Sequence, residues 1–504
     1  MYKIFHGFHL VEAYQELKKA KRLAKSQTAA RCIKLTIAIT IALILWFLPI
    51  ETFGVDGLTV IEQRLISIFI FATLMWVFEA IPAWTTSVLI VVLLLLTVSD
   101  SSLWLFTQNK LAENFGQVVK YKSIMHCFAD PIIMLFIGGF ILAIAATKSG
   151  LDVLLARVML RPFGIQSRYV LLGFILVTAA FSMFLSNTAT AAMMLTFLTP
   201  VLKALPADGK GKIGLAMAIP VAANIGGMGT PIGTPPNAIA LKYLNDPEGL
   251  NLNIGFGEWM SFMMPYTIVL LFIAWFILLW LFPFKQKTIE LKIEGETKKD
   301  WRSIVVYITF AITVLLWMFD KVTGVNSNVV AMIPVAVFCV TGVITKRDLE
   351  EISWSVLWMV AGGFALGVAL QETGLAKHMI EAIPFNAWPP ALMIVGSGLI
   401  CYAMANFISH TATAALLVPI LAIAGTSMRE NLSSLGGVET LLIGVAIGSS
   451  LAMVLPISTP PNALAHATGM IQQKDMEKVG FIMGIIGMIL GYTMLIILGS
   501  NKLL

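Results

Sequence analysis

The chain has 504 residues, 58% of them hydrophobic and only 12% charged, with a mean hydropathy of +0.87. Soluble domains carry roughly 25% charged residues, so this composition excludes a soluble enzyme or binding module and requires a bilayer. The formal net charge of +6 is no sign of a nucleic-acid partner, because its distribution follows a topological pattern.

Residues 1–31 are polar and basic and lack the apolar core of a signal peptide. Residues 5–28 predict a basic amphipathic helix lying on the membrane surface. Apolar segments follow at 33–50, 64–80, 84–99, 128–147, 169–201, 213–243, 259–283, 302–319, 326–344, 353–371, 389–425, 438–470 and 479–499. They suit helices crossing a hydrocarbon core of ~30 Å. The ~10-residue alternating segments of a membrane barrel are absent. The expected fold is therefore an all-α polytopic membrane protein.

Segments 169–201 and 389–425 are long but interrupted midway by polar residues. They read as re-entrant hairpins, which leaves about eleven true crossings once both are discounted. Charge supports that count. With a cytoplasmic N-terminus, the groups placed inside include Lys18, Lys19, Lys21 and Arg22, then Lys148, Arg157 and Arg161, Lys203 and Lys210, Lys285 and Lys287, and Lys346 and Arg347. Such groups make up roughly three quarters of the 34 Lys and Arg. Treating either hairpin as one crossing would invert everything after it. The C-terminus is then extracytoplasmic, and the plasma (inner) membrane is the expected location.

The chain also repeats itself. GGFILAIAATKSGL (138–151) matches GGFALGVALQETGL (362–375), SNTAT (186–190) matches SHTAT (409–413), and GTPPNAIA (233–240) matches STPPNALA (458–465). Three blocks recur in order at offsets of 224, 223 and 225 residues. Four crossings and one hairpin separate the GGF spans, so the two copies run in opposite directions. Inverted repeats interrupted at matching positions are the sequence mark of a secondary transporter's binding site.

The interruptions carry specific chemistry. Ser186 or Asn187 suits the cap of a half-helix whose N–H groups, at Thr188 to Thr190, face the gap. Such an end bears about half a positive charge and binds carboxylate or phosphate oxygens. Thr234 suits an N-cap and Pro235 the first helical turn, while Asn237 offers both amide donors and an oxygen. The carbonyls around Gly226 to Gly233 end the preceding half-helix and suit a hard cation. Ser409, Thr411, Thr459, Pro460 and Asn462 repeat the pattern. Two opposed tips would hold a small dianion.

On the paired SNT-type motifs, the paired TPPN motifs and FEAIPAWTTS (78–87), the chain resembles the divalent anion/sodium symporter (DASS) family over about residues 35–500. The resemblance implies a homodimer with a fixed scaffold and a mobile transport part that moves as an elevator. It implies substrate carboxylates at Ser186, Asn187, Thr188, Thr234, Pro235, Ser409, His410, Thr411, Thr459 and Pro460. It places a first sodium site at Ser182, Ser186, Asn187, Gly233 and Asn237, and a second at Ala405, His410, Ser458 and Asn462.

At that second site the chain departs from the pattern. Ser182 and Asn187 become Ala405 and His410, so two side-chain oxygens are lost where a hard cation wants them. His410 has three readings: a neutral structural histidine, a replacement for sodium that donates to carboxylate, or a proton-coupling group. A carrier with a fixed positive charge tends to return loaded, so this departure leans toward dicarboxylate exchange with reduced sodium dependence. Sodium-coupled symport of a dicarboxylate or citrate is the alternative. Succinate, malate, fumarate, 2-oxoglutarate, citrate and sulfate all suit two anion-binding tips, and the resemblance favours the C4 and C5 dicarboxylates. No cofactor is expected beyond Na+ as a coupling ion.

The expected organisation is a surface segment at 1–32, scaffold helices at 33–162 and 302–387, a cytoplasmic linker at 285–301, and transport parts at 163–284 and 388–504. Cys32, Cys127, Cys339 and Cys401 lack CxxC spacing and read as small buried hydrophobes, and no second His or Cys near His410 makes a transition-metal site. Glu79 reads as a scaffold cap or ion-pair partner, and Lys242 as snorkelling to the outer interface. An enzyme finds no support, since HExxH, GxSxG and paired intramembrane carboxylates are missing. A channel fits paired broken helices less well than alternating access.

Overall fold

In a computed structural model of the chain, residues 28–501 are described except 56, 109–111, 113, 206–208, 248, 290–299 and 383–387. The surface helix expected at 5–28 lies almost wholly outside the described residues, as does most of the linker. The described residues are helical throughout, with two isolated β-bridges, Ser99 with Val119 and Gln166 with Thr288. Among the described residues, eight helices have the length and apolarity to cross a membrane. One of them is His410–Ser427, an arm of the second interruption, so length alone does not separate crossings from hairpin arms. Shorter apolar helices include Ala83–Thr97, Ser167–Ser182, Ser327–Val340 and Leu392–Ala405.

Packing divides the chain into two units, Met1–Ile124 with Val368–His378, and Met125–Gly367 with Met379–Leu504. In the first, polar side chains satisfy the helix ends that a bilayer leaves unhydrated. Gln63 donates to the carbonyls of Leu45 and Leu48 at the end of helix Thr28–Phe47. Lys34 donates to Phe78 O at the end of Val60–Phe78. Glu79 is that helix's C-cap, with φ of 46°, so the cap role read from sequence matches its position. Thr59 and Glu62 form a reciprocal capping box at the other end.

The second unit holds both hairpins and both broken helices. Asp130 caps Pro131–Ser149 through Ile132 N, with Pro131 in the first turn. At the far end Lys148 pairs with Asp348 at 2.6 Å and donates to Val343 O. The first hairpin starts at Ser167, whose Oγ donates to Gln286 O and whose N–H donates to Lys287 O. Its arms are Ser167–Ser182 and Asn187–Ala204. The second has arms Leu392–Ala405 and His410–Ser427. The broken helices are Lys210–Gly227 with Pro235–Leu244, and Gly437–Ser450 with Pro460–Ala467. All four interruptions stand where the sequence placed them.

Lys242 departs from the expectation. Its Nζ lies 2.8 Å from Asp130 Oδ2 and 3.6 Å from the centroid of the Phe364 ring. A cation in apolar surroundings with a cap carboxylate in reach pairs with it rather than extending to water.

Candidate functional site

At the first tip Ser186 is the N-cap and its Oγ accepts from Ala189 N. The Thr190 N–H closes the first turn onto Ser186 O. The outward N–H groups of this half-helix are thus those of Asn187 and Thr188, one residue earlier than the sequence suggested. Behind the tip, oxygens converge. Ser182 Oγ lies 2.5 Å from Asn187 Oδ1 and 2.7 Å from Ala223 O. A methyl built on Gly227 would come within 2.7 Å of Asn187 Oδ1 and 2.9 Å of Gly233 O. One hydroxyl proton serves several acceptors there, and the cluster lies in a space that only glycine leaves open.

The break in the first broken helix is held by Asn237. Its Nδ2 donates to the carbonyls of Gly227, Met228 and Thr230. Those carbonyls, expected from the sequence to face a cation, are engaged by an amide. Asn237 Oδ1 is buried with no hydrogen-bond partner. Thr234 is the N-cap residue of Pro235–Leu244 but makes no side-chain cap bond.

The second tip has the same frame and different chemistry. Ser409 Oγ accepts from Ala412 N, as Ser186 does from Ala189. Asn462 Nδ2 donates to Met453 O and Leu455 O, the carbonyls 225 residues after Met228 and Thr230. Both side-chain oxygens of the first cluster are lost, however, and residues around it change. Ser182 becomes Ala405, Gly227 becomes Ala452, Gly233 becomes Ser458 and Asn187 becomes His410. His410 Nε2 lies 2.7 Å from Ala452 O. A carbonyl only accepts, so Nε2 carries a proton. Ser458 Oγ donates to Asn406 O and accepts from Leu455 N. In the first half Thr230 Oγ1 plays that bracing part, donating to Met183 O and accepting from Gly233 N. The brace has changed sides of the loop.

Both tips open on one cavity of about 520 Å³. It is lined by Ser186, Asn187, Thr188, Thr234, Pro235, Ser409, His410, Thr411, Thr459 and Pro460, together with Gly233 and Ser458. The ten residues assigned to substrate from sequence are therefore brought together. Ser182, Asn237, Ala405 and Asn462 are buried and do not line it. The lining contains no Lys or Arg, so the positive potential comes from helix ends and from N–H and O–H donors. The tips differ in cover: Thr188 and Ala189 are exposed, whereas His410 and Thr411 are buried.

Sequence reasoning missed the apolar wall of Phe136, Phe140, Ile232, Val356, Met359 and Leu464, in which the two Phe rings stack with centroids 6.0 Å apart. It also missed Asn224 and Asn406. A lone Asn in VAANIGG was the available signal for the first, and the residue beside the SHT tip for the second.

Comparison with known proteins agrees with this architecture. Residues 29–501 match the family described as the sodium:sulfate symporter transmembrane region. An uncharacterized transporter of Haemophilus influenzae is 33% identical over 397 residues, covering 75% of this chain and 83% of its own. The sodium-dependent dicarboxylate transporter SdcS of Staphylococcus aureus is 30% identical over 471 residues, covering 84% and 85%. The crystal structure of the Alcanivorax borkumensis YdaH transporter shares the fold, with a TM-score of 0.54 at 11% identity over 78% of this chain and 92% of that one. The chain is a multi-pass membrane protein and a secondary transporter, not an enzyme, and it belongs to the divalent anion/sodium symporter family.

Proposed function

We propose that the protein moves small dicarboxylates of the succinate, malate, fumarate and 2-oxoglutarate type across the plasma membrane, with one carboxylate at each hairpin tip. The observation that carries this reading is the pair of serine-capped half-helices facing a single cavity that no Lys or Arg lines. An anion there is held by N–H groups and hydroxyls, which suit carboxylate oxygens. The apolar wall between the tips suits a short aliphatic chain. The similarity to SdcS, named as a sodium-dependent dicarboxylate transporter, supports the same substrate class.

The Ser182, Ser186, Asn187, Gly233 and Asn237 oxygens form the coupling-ion position, with sodium as co-transported cargo. In the second half the His410 N–H occupies the equivalent place, which favours reduced sodium dependence, and exchange is the transport mode proposed with it. The intact first cluster favours sodium-coupled symport as the second reading. Residues 163–284 and 388–504 form the moving part of an elevator, the helices of 33–162 and 302–387 its scaffold, and the working unit is a homodimer. The N-terminus is cytoplasmic and the C-terminus extracytoplasmic.

Uptake of labelled succinate into proteoliposomes tests both readings. Exchange predicts uptake that needs internal dicarboxylate and responds weakly to a sodium gradient. Strong sodium-requiring uptake into empty vesicles would replace it with symport, and no succinate movement under any gradient would remove the substrate assignment.

A further inference from the structure

Asn224 joins the two halves. It lies in Lys210–Gly227, is 1% exposed, and belongs to the first half. Its Nδ2 nevertheless donates to Thr459 Oγ1 and Asn462 Oδ1 of the second half's Thr-Pro-Pro-Asn loop, both at 3.2 Å. The repeat offset of 225 residues places Ser449 where Asn224 stands, and Thr234 and Asn237 where Thr459 and Asn462 stand. Ser449 is too short to make the reciprocal bonds. Ser449 Oγ and Asn237 Oδ1 are both buried without a hydrogen-bond partner, and Thr234 makes no side-chain cap whereas Thr459 does.

The loops differ at 227/452, 230/455 and 233/458, but Asn237 and Asn462 hold equivalent carbonyls through their Nδ2 atoms. What separates their Oδ1 atoms is the donor at the 224/449 pair, since Asn224 Nδ2 reaches Asn462 Oδ1 and no donor reaches Asn237 Oδ1. An amide oxygen that accepts an N–H has one lone pair left beside a positive donor, and one with no donor offers both to a hard cation.

We propose that Asn224 is a positioning residue that braces the second loop across the pseudo-two-fold axis, and that serine at 449 leaves Asn237 Oδ1 bare to take sodium. This rests on the reading of a sodium position in the first half, and it adds the residue pair that decides which half keeps one. Asn224 fixes the Thr459–Pro460 edge of the cavity by closing off Asn462. Ser449 keeps the first loop open by failing to do the same.

The test uses purified full-length protein and its proteoliposomes. Thermal stability in sodium against choline at equal ionic strength reads cation binding whatever the organic substrate is. Wild type should be stabilised by sodium. Ser449→Asn supplies the missing N–H to Asn237 Oδ1 and should raise the half-saturating sodium concentration at least tenfold, with succinate affinity at saturating sodium within twofold of wild type. Asn224→Ser should do the opposite, weakening succinate several-fold with the sodium response unchanged. A wild-type sodium shift that Ser449→Asn retains overturns the inference and leaves the sodium reading standing. Absence of any shift in wild type overturns both. If Ser449→Asn fails to fold, Asn224→Ser decides: unchanged succinate affinity, or a sodium response that moves with it, overturns the assignment.

Discussion

The two hairpin tips share a backbone and differ in what that backbone is used for. Each has a serine N-cap, a half-helix opening on the cavity, and an asparagine that ties down a neighbouring broken helix. Behind the first tip a hydroxyl, an amide and two carbonyls crowd around a glycine. Behind the second a methyl replaces the glycine hydrogen and an imidazole N–H replaces the amide oxygen. Duplication supplied one frame twice, and side-chain substitution turned one copy from an oxygen-rich niche into an N–H-filled one. The serine-capped helix end survives in both copies because it rests on the backbone, which substitution leaves intact.

The largest expected effect follows from Gly227. A methyl there meets Asn187 Oδ1 at 2.7 Å and Gly233 O at 2.9 Å, so Gly227→Ala should give the first half the second half's character. Loss of sodium-dependent thermal stabilisation, or at least a tenfold rise in half-saturating sodium (about 1.4 kcal/mol or more), is the expected outcome. If Gly227→Ala binds sodium as wild type does, the contrast between the halves is not a contrast in cation binding. The converse pair, Ala452→Gly with His410→Asn, should strengthen sodium dependence in succinate uptake.

Removing a charge from the Lys242–Asp130 pair comes next. The side chains are 21% and 15% exposed, between a surface pair and a sealed one. Lys242→Met should cost about 2 kcal/mol by leaving Asp130 partly desolvated and unpaired. Adding Asp130→Asn should recover part of that, and the difference in melting temperature across the double-mutant cycle measures the coupling. A cycle with no coupling would make the pair a bystander.

The serine caps give a smaller and more symmetric test. Ser186→Ala and Ser409→Ala each remove a cap bond worth about 1 kcal/mol of helix stability together with a hydroxyl that lines the cavity, and a loss of that size in dicarboxylate binding is roughly fivefold. The proposed dianion needs both tips, so the two variants should weaken succinate alike in exchange assays. A loss confined to one tip would show that a single carboxylate is recognised and would break the equivalence of the tips.

Much of this frame was legible in the sequence, and the reason is physical. A polar break in an apolar helix has to be satisfied by protein or cavity, so the breaks at 183–186, 228–234, 406–409 and 451–459 announced themselves, and the repeat paired them. Side-chain networks were less legible. The Thr230 to Ser458 exchange keeps a hydroxyl brace while moving it between positions that do not align, so a residue-by-residue comparison of the halves shows only a threonine replaced by leucine. Asn224 reads as an ordinary buried polar residue until its partners are seen 235 and 238 positions away. Lys242 was misplaced because its counterion, Asp130, lies 112 positions away in the chain.

The smallest effect concerns a contact remote from the cavity, where the sign is nonetheless firm. Burial alone would raise the Asp348 carboxyl, but the Lys148 ammonium and the Thr345 hydroxyl and N–H outweigh it and hold it below the usual carboxylate range. A carboxyl lowered in the folded state stabilises the protein above its unfolded value, and that contribution is lost as pH falls through the lowered folded value. Lys148 is 39% exposed, so screening keeps the effect modest. Melting temperature should therefore hold from neutral pH to about 4 and decline below it. Asp348→Asn should flatten the acid limb and leave the sodium and succinate responses of the tips untouched. If it alters those responses, the Lys148–Asp348 contact is coupled to the cavity and the tips are not governed by their own side chains alone.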